Sequence, residues 1–280
     1  MLGIVVVSYR SDERTIRFVQ EELHKVLLPH RIVVVDNGAT VQEAASLAAR
    51  LGDTVTAVLP AENGGFAKGN NLGVRYLNAL EKMDAFLFVN NDIRFESPDV
   101  VEHLFEKLHA HPEAGAAGPE IVGLDGRRQS PEAYLGLWDR YVLMDLSTPF
   151  LSRERKARRF LLDYAENAGE GAHYKLMGSC LMVSAEAFVR AGMFDENTFL
   201  YAEEPILSER MAAIGKCQYF CPSVRVVHEH GATISTHHSR WKMRKMQLTS
   251  MLYYYRTYRG YARWQTALAG AVYLILNGLK

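Results

Sequence analysis

The sequence has few cysteines and no long apolar segment. Its 280 residues include three cysteines, an odd number without CxxC spacing, and this speaks against a disulfide framework and a thiolate zinc site. No apolar run reaches the roughly 20 residues needed to span a bilayer. The chain enters a strand-like segment at once, without the basic and then apolar regions of a signal peptide. We therefore expect a cytoplasmic protein with reduced thiols.

The chain also lacks an excess of charge of either sign. Lys and Arg number 32, Asp and Glu number 32, and the formal net charge is +0. No global field therefore attracts nucleic acid, and attraction to an acidic surface would need a local patch. Neither a GxGxxG turn after the first strand nor a GxxxxGK[ST] loop occurs, so the usual dinucleotide and NTPase sites are not indicated. We expect a globular protein without a nucleic-acid partner.

Strand and helix patterns alternate along the first half of the chain. Apolar and β-branched segments lie at residues 2–9, 31–35, 55–59 and 86–89. Between them, apolar residues recur at helical spacing, and Thr40 with Glu43 matches a capping box at one helix start. This alternation predicts an α/β fold with a doubly wound, mostly parallel central sheet and helices on both faces. Further strands are expected at 114–122, 175–183 and 224–228.

Polar side chains follow three of the predicted strands. They are Ser8-Tyr9, Asp36 and Asn90-Asn91-Asp92. Parallel strands place these ends along one edge of the sheet, where ligands bind in open α/β folds. Asp92 is thus well placed for a metal or phosphate site, and Asp36 for a nucleotide base or ribose. Asn and Asp are also common turn residues, and that interpretation stays open for each of them.

A loop rich in Gly and Asn, NGGFAKGNNLG at residues 63–73, precedes another predicted helix. Its glycines allow close approach of a ligand and expose backbone N–H groups. Those properties suit a phosphate or nucleotide. The loop is therefore a second candidate binding element.

Seven motifs in series resemble those of a known enzyme family. In chain order they are VVVSY, VVDNG, NGGFAKGNNLG, NND, MGSCLMV, GMFDENTFLYAEE and VHEHGAT. In this order and spacing they resemble family 2 glycosyltransferases, most of all bacterial rhamnosyltransferase-like members with the GT-A fold. The resemblance covers residues 1 to about 235. It implies an inverting transfer of a sugar from a nucleotide-diphosphate donor, a UDP- or dTDP-sugar.

The resemblance also implies roles for particular residues. Asp36 would hold the base, and Asn63 with the glycines after it would shape the nucleotide pocket. Asp92 would bind a divalent cation, Mg²⁺ or Mn²⁺, and His228 matches a position that approaches the metal or the diphosphate. The full set of implied nucleotide-sugar-binding residues is Ser8, Tyr9, Asp36, Asn63, Gly64, Gly65, Asn70 and Asn91.

The acidic pair Glu203-Glu204 matches the pair that supplies the catalytic base. Inversion requires one carboxylate to take the proton of the acceptor hydroxyl as that hydroxyl attacks, and we expect Glu204 to do so, with Glu203 as the alternative. Both could instead be first-turn acids that interact with a helix dipole. Ile206 stands where the family usually has Asp, at a position that often helps to bind the acceptor. Arg10 replaces the usual Asn.

The C-terminal tail lies outside the resemblance. Residues 251–261 (MLYYYRTYRGY) interleave aromatic and basic residues. An apolar stripe follows, made of Trp264, Leu268, Val272, Ile275 and Leu279. This composition is typical of a helix at a membrane surface. A helix packed on the body of the protein or at a homodimer contact would carry such a stripe as well.

Together the patterns predict a metal-dependent glycosyltransferase of bacterial surface polysaccharide synthesis. It would move rhamnose or a similar hexose to a glycan or lipid-linked acceptor, working in the cytoplasm or on the inner face of the membrane. We divide the chain into a nucleotide-sugar-binding half (1–120), an acceptor-binding and catalytic half of the same domain (121–235) and a helical extension (236–280). The alternatives are a non-catalytic sugar-nucleotide-binding module, suggested by Ile206, and a nucleotidyltransferase, which would want glycines after the first strand.

Overall fold

A mixed β-sheet forms the centre of the protein. The computed structural model describes residues 1–52, 55–60, 62–229 and 240–278. The strands of the described chain are β1 (Leu2–Ser8), β2 (His30–Asp36), β3 (Val55–Val58), β4 (Ala85–Val89), β5 (Ile93–Phe95), β6 (Ala114–Gly123), β7 (Gly171–His173), β8 (Cys180–Ser184) and β9 (Cys217–His228). They lie in the order β3-β2-β1-β4-β8-β6-β9-β5, with β7 paired to β9.

The first half of the sheet confirms the predicted parallel arrangement. Strands β3, β2, β1 and β4 pair in parallel, and the register places Ser8 beside Asp36. The second half adds antiparallel pairs, because β8 runs against both β4 and β6, and β5 runs against β9. The ends of β4 and β9 thereby meet at one edge of the sheet.

Helices cover both faces of the sheet. The described helices are α1 (Asp12–Glu21), α2 (Val41–Leu51), α3 (Gly65–Leu80), α4 (Val100–Ala110), α5 (Met144–Leu146), α6 (Arg153–Arg159), α7 (Tyr164–Asn167), α8 (Ala185–Arg190), α9 (Glu203–Ala213), α10 (Arg240–Tyr258) and α11 (Arg263–Gly278). A 3-10 turn at Leu23–Lys25 follows α1, and a π-helical turn at Asp139–Leu143 leads into α5. None of these helices is long and apolar enough to cross a membrane.

The start of α2 was predicted correctly from local sequence signals, and the start of α3 was not. The predicted capping box is present, since Thr40 Oγ1 accepts from the Glu43 N–H and the Glu43 carboxylate accepts from the Thr40 N–H. Helix α3, in contrast, begins at Gly65, so most of the predicted loop 63–73 is helical. Side chains from α3 pack on β1 and β2, and this burial outweighs the low helix propensity of Gly and Asn.

Each face of the sheet buries its own apolar cluster. Alternate residues of one strand point to opposite faces, and Ile4 and Val6 accordingly join the cluster beneath α1 and α4. Val5 joins the opposite cluster, where Phe86 and Phe88 lie beneath α3, α8 and α9. Because β4 contributes to both clusters, its polar end has little freedom to move.

Helices α10 and α11 pack against the body around a third cluster. Tyr253 and Tyr258 donate hydrogen bonds to the buried Asp195, at 2.8 and 2.7 Å. Arg259 forms an ion pair of 3.0 Å with Glu209 of α9. The aromatic and basic residues 251–261 thus pack on the protein, one of the two interpretations that the sequence leaves open. The stripe of α11 stays exposed, at 65% for Trp264, and Leu279 lies outside the described residues.

Candidate active site

A cavity of about 490 Å³ opens at the edge of the sheet where β4 and β9 end. Its wall combines the polar end of β4 with the start of α9, the segments at 132–135 and 174–179, and one side of α10. The lining residues include Asp92, Glu132, Arg140, Tyr174, Lys175, Gly178, Glu203, Glu204, His228, Met243, Gln247 and Met251. This cavity brings together the predicted metal-binding residues and the predicted acidic pair.

Asp92 and His228 form one corner of the cavity. Antiparallel pairing sets Ile93 opposite His228, and the Glu229 N–H donates to the Asp92 carbonyl at 2.9 Å. As a result, Asp92 Oδ1 lies 3.4 Å from His228 Nε2. The other ring nitrogen, Nδ1, lies 2.9 Å from Gln129 Oε1 and orients the imidazole. The last motif continues to His230 and beyond, and those residues lie outside the described chain.

This corner fits a divalent cation that is shared with phosphate groups. Asp92 Oδ1 is buried and accepts no hydrogen bond from the described residues. The described chain holds no group of three or more His, Cys, Asp and Glu side chains that could hold a metal ion. Mg²⁺ is commonly bound by one or two carboxylates together with substrate phosphates. Asp92 and His228 suit that arrangement, whereas they do not suit a site made of protein ligands alone.

None of the predicted nucleotide-binding residues lines this cavity, and Ser8 and Asp36 lie side by side at the ends of β1 and β2. Asp36 is 1% exposed, and its Oδ1 accepts from the Gly38 N–H at 3.3 Å. Its Oδ2 has no partner among the described residues, and burial raises the pKa of this carboxyl. A buried carboxylate oxygen without a donor is costly. The N–H or O–H groups of a base or ribose would supply that donor. Tyr9 lies next to it, beneath the guanidinium of Arg10.

Ser8 and Asn91 belong to a hydrogen-bond network outside the cavity. Thr15 donates to Ser8 Oγ at 3.0 Å, and Asn91 Nδ2 donates to Ser11 Oγ and Thr15 Oγ1 at 2.9 and 2.8 Å. This network ties the ends of β1 and β4 to the start of α1.

The glycine-rich segment makes close backbone contact with the segment before α9. The Gly65 N–H donates to Asn63 Oδ1 at 3.0 Å, and the Phe66 N–H donates to the Phe199 carbonyl at 2.9 Å. Two of the expected N–H groups are therefore occupied. Gly65 has φ +83°, and a Cβ there would lie 1.9 Å from the Phe199 oxygen. Glycine is thus needed for close contact between α3 and the segment before α9.

Gly64 and Asn70 take structural places in the same region. A Cβ on Gly64 would meet the side chain of Lys68 at 2.4 Å, so glycine leaves room for that lysine. Asn70 is 1% exposed, and its Nδ2 donates to the Phe66 carbonyl one turn earlier at 3.0 Å. Asn70 therefore stabilises α3 and does not line the cavity.

The acidic pair stands at the start of α9, after two residues in the left-handed region. Tyr201 and Ala202 have φ of 69° and 68°, and each such non-glycine residue costs about 1–3 kcal/mol. This turn aims the first helical residues into the cavity. Glu204 Oε1 accepts from the Gly178 N–H at 3.2 Å, so the carboxylate is held at the wall.

Glu203 has a distinctly different environment from its neighbour. It is 3% exposed, and its Oε1 has no partner among the described residues. Burial first, and then the charge of Glu204, raise the pKa of Glu203 to about 8. Burial and the neighbouring carboxylate thus favour the protonated form of Glu203. A protonated acid cannot accept a proton, and this leaves Glu204 as the acid of the pair suited to the role of base.

Ile206 does not occupy a ligand-binding position. It is 0% exposed and packs with Tyr254 and Tyr255 in the cluster beneath α10. An apolar residue is therefore suited to this position, because helix α10 covers it. Its presence removes no side chain from the wall of the cavity.

Several residues in the wall have no sequence signal that marks them in advance. Lys175 pairs with Glu132 at 2.6 Å, and the charge of Arg140 also acts on Glu132. Tyr174 donates to Glu209 at 2.8 Å and contacts Tyr254 of α10. Their positions depend on the packing of the irregular segment 124–179, and neither periodicity nor spacing reveals it.

Comparisons with known proteins find similar glycosyltransferases. No family model matches the chain. It is 26% identical over 239 residues to the N-acetylglucosaminyl-diphospho-decaprenol L-rhamnosyltransferase of Mycobacterium tuberculosis, covering 81% of this chain and 76% of that protein. It is 25% identical over 236 residues to the dTDP-rhamnosyl transferase RfbF of Shigella flexneri, covering 81% and 68%.

A solved structure shares the fold. The mannosyltransferase PcManGT from Pyrobaculum calidifontis, in complex with GDP-Man and Mn²⁺, superposes with a TM-score of 0.58 and 17% identity, covering 99% of this chain and 70% of that one. The chain has the GT-A fold, and its sequence is similar to those of rhamnosyltransferases. In this fold, the corner at Asp92 and the acids of α9 lie in one cavity.

Proposed function

We propose that the protein transfers rhamnose or a similar hexose from a dTDP- or UDP-sugar to a glycan or lipid-linked acceptor, with inversion at the anomeric carbon and with a divalent cation. The observation that carries this proposal is the single cavity that holds Asp92, His228 and Glu204. The named relatives, a decaprenol-linked L-rhamnosyltransferase and a dTDP-rhamnosyl transferase, support the choice of sugar and of acceptor class.

Glu204 acts as the base in this proposal. Its carboxylate takes the proton of the acceptor hydroxyl while the hydroxyl oxygen attacks the anomeric carbon. The Gly178 N–H, at 3.2 Å from Oε1, orients that carboxylate. The raised pKa of Glu203 favours its neutral form, so that Glu204 carries the negative charge at the start of the helix.

Asp92 and His228 would hold the cation, which when bound offsets charge on the departing diphosphate. Asp36 accepts hydrogen bonds from the base or ribose with its partnerless Oδ2. Lys175 and Arg140 line the same cavity, and we assign them to the acceptor.

Ligand binding is tested by thermal shift. The wild type is melted with dTDP, UDP or GDP, each with and without Mn²⁺, and compared with Asp92→Ala and with Asp163→Ala, which removes an exposed acid of the loop before α7. A ligand that binds the folded state alone at 100 times its Kd adds about 2.7 kcal/mol of stability. We expect a Mn²⁺-dependent shift with dTDP or UDP in the wild type and in Asp163→Ala, and none in Asp92→Ala. No shift with any nucleotide would overturn the proposal.

The role of Glu204 is tested by transfer assays with a radiolabelled donor. Removal of a general base costs 10²–10⁴-fold in rate, so Glu204→Gln is expected to lose about that much while it keeps the nucleotide-dependent shift. Glu203→Gln preserves a neutral side chain of nearly the same shape and is expected to keep most of the activity. If Glu203→Gln is inactive and Glu204→Gln active, the roles are reversed. If wild-type protein binds nucleotide but transfers and hydrolyses no sugar, it is a binding module.

A further inference from the structure

The C-terminal helices carry a positive charge that the net charge of the chain conceals. Residues 230–280 contain eight Lys and Arg residues and no Asp or Glu. Because the whole chain sums to zero, residues 1–229 carry a formal charge of −8. The protein is therefore electrically polar, with its positive pole on α10 and α11.

A groove between α10 and α11 gathers four of these cations. It has a volume of about 880 Å³, and its walls include Lys242, Lys245, Arg256 and Arg263. No carboxylate is among the described residues that line it. A cleft lined by charges of one sign concentrates counter-ions of the other sign. The groove is therefore suited to an anion, and phosphate groups suit Lys and Arg side chains.

Exposed apolar and aromatic side chains adjoin the groove residues in the sequence, and they are called its rim below. Trp264 follows Arg263 directly and is 65% exposed, and Leu268, next to Ala267 of the wall, is 49% exposed. Trp241, one residue before Lys242 at the start of α10, is 50% exposed. Exposed Trp and Leu beside Lys and Arg are characteristic of helices that lie in the headgroup layer of a membrane. A soluble phosphate compound alone would give these apolar side chains no partner.

We propose that this groove and its rim dock the protein on a membrane that contains anionic phospholipids, with lipid phosphates in the groove and the exposed Trp and Leu side chains among the headgroups. Neither α10 nor α11 is long and apolar enough to span the bilayer, so the contact is peripheral. Each Lys or Arg near an anionic membrane surface contributes roughly a fivefold gain in partition. Four cations in one groove are therefore sufficient for strong attachment.

Docking would place the active site close to the lipid surface. The other side of α10 lines the active-site cavity through Met243, Gln247 and Met251. One helix with its side chains is about 10–12 Å across, so only this helix separates the groove from the cavity. A sugar carried on a lipid could then reach Glu204. This last step rests on the proposed function, whereas docking itself does not.

The test is flotation of the full chain with vesicles of phosphatidylcholine, with and without phosphatidylglycerol. Wild type is compared with the groove variant Lys245→Gln/Arg256→Gln/Arg263→Gln. The matched control is Arg153→Gln/Arg155→Gln/Arg158→Gln on the exposed helix α6, which loses the same three charges. We expect the wild type to float only with the anionic vesicles. Partition should fall roughly 100-fold in the groove variant and less than about threefold in the control.

Three outcomes would overturn the proposal: no flotation of wild type, equal loss in both triple variants, or equal binding to both kinds of vesicle. Trp264→Ser, which leaves every charge in place, provides a second variant if the groove variant fails to fold, and it too should weaken flotation. If glycerol phosphate abolishes flotation and Trp264→Ser does not weaken it, the ligand of the groove is a soluble phosphate compound and not a membrane. Thermal shift with nucleotide on the same proteins reports separately on the donor site.

Discussion

Gly65→Ala should affect stability and activity through a single backbone contact. Alanine at φ +83° costs about 1–2 kcal/mol. Its Cβ would also lie 1.9 Å from the Phe199 carbonyl oxygen, so one of the two segments must move. The Phe66–Phe199 hydrogen bond of 2.9 Å is then lost, at about 1 kcal/mol. We expect a total loss of about 3 kcal/mol in the free energy of unfolding, measured by urea denaturation.

The same change should slow the transfer reaction. Phe199 leads through Tyr201 and Ala202 directly into α9, so its displacement moves the acids of the cavity. A misplacement of about 1 Å can cost on the order of 100-fold in rate. We therefore expect kcat to fall by about that factor, measured at saturating donor.

Gly52→Ala is the matched control for Gly65→Ala. Gly52 has φ +79° and ψ −179° with no atom within 4 Å of the added Cβ, so Gly52→Ala carries a backbone cost of about 1–3 kcal/mol without any new contact. Its kcat should stay at the wild-type value. If both variants lose the same stability and both keep full activity, the reasoning about Phe199 is refuted. The added Cβ at position 65 would then be accommodated without any displacement of Glu203 and Glu204.

Three further changes test the surroundings of the cavity. A Cβ at position 178 would lie 3.1 Å from Glu204 Oε1, so Gly178→Ala should lower kcat about tenfold with little change in donor KM; a normal kcat would show that the carboxylate relocates freely. Burial raises the pKa of Glu203 to about 8. The unfolded chain therefore ionises first as pH rises from 5 to 8, and wild-type stability should fall relative to Glu203→Gln by up to about 1.4 kcal/mol per pH unit, as measured by urea unfolding at each pH. Parallel curves would contradict that pKa. Tyr258→Phe removes a 2.7 Å bond to buried Asp195 and should cost about 1.5–3 kcal/mol in urea unfolding; a loss below 0.5 kcal/mol would mean that other donors compensate.

The regular part of the fold could be predicted because local and global preferences agree there. The β-branched runs of β1 and β2 are buried on both faces, and the Thr40–Glu43 box defines the start of α2 from side chains only three residues apart. The start of α3 at Gly65 could not be predicted. The glycines and asparagines of this helix favour a loop locally, and tertiary packing overrides that preference. Strand β5 was missed because three residues give too little pattern.

The candidate site was predictable in its chemistry and not in its detailed geometry. Strand ends identified Asp36 and Asp92, because parallel topology alone brings such ends together. The different environments of Glu203 and Glu204 could not be read from two identical neighbours, since burial depends on where α10 packs. The buried face of α10, at Leu248, Met251 and Tyr255, does have helical spacing. That spacing was a usable signal that the tyrosines face the protein.

The pairing of β5 with β9 holds Asp92 and His228 together at one corner of the cavity. Backbone bonds fix the distance between Asp92 and His228, although 135 residues lie between them in the sequence. Residues 130–170 contribute Glu132 and Arg140 to the cavity wall, and they lie between Gln129, which orients His228, and β7, which pairs with β9. Exchange of residues 130–170 between related enzymes should therefore change this part of the wall while the Asp92–His228 corner stays in place, which makes them a natural unit for building chimaeras.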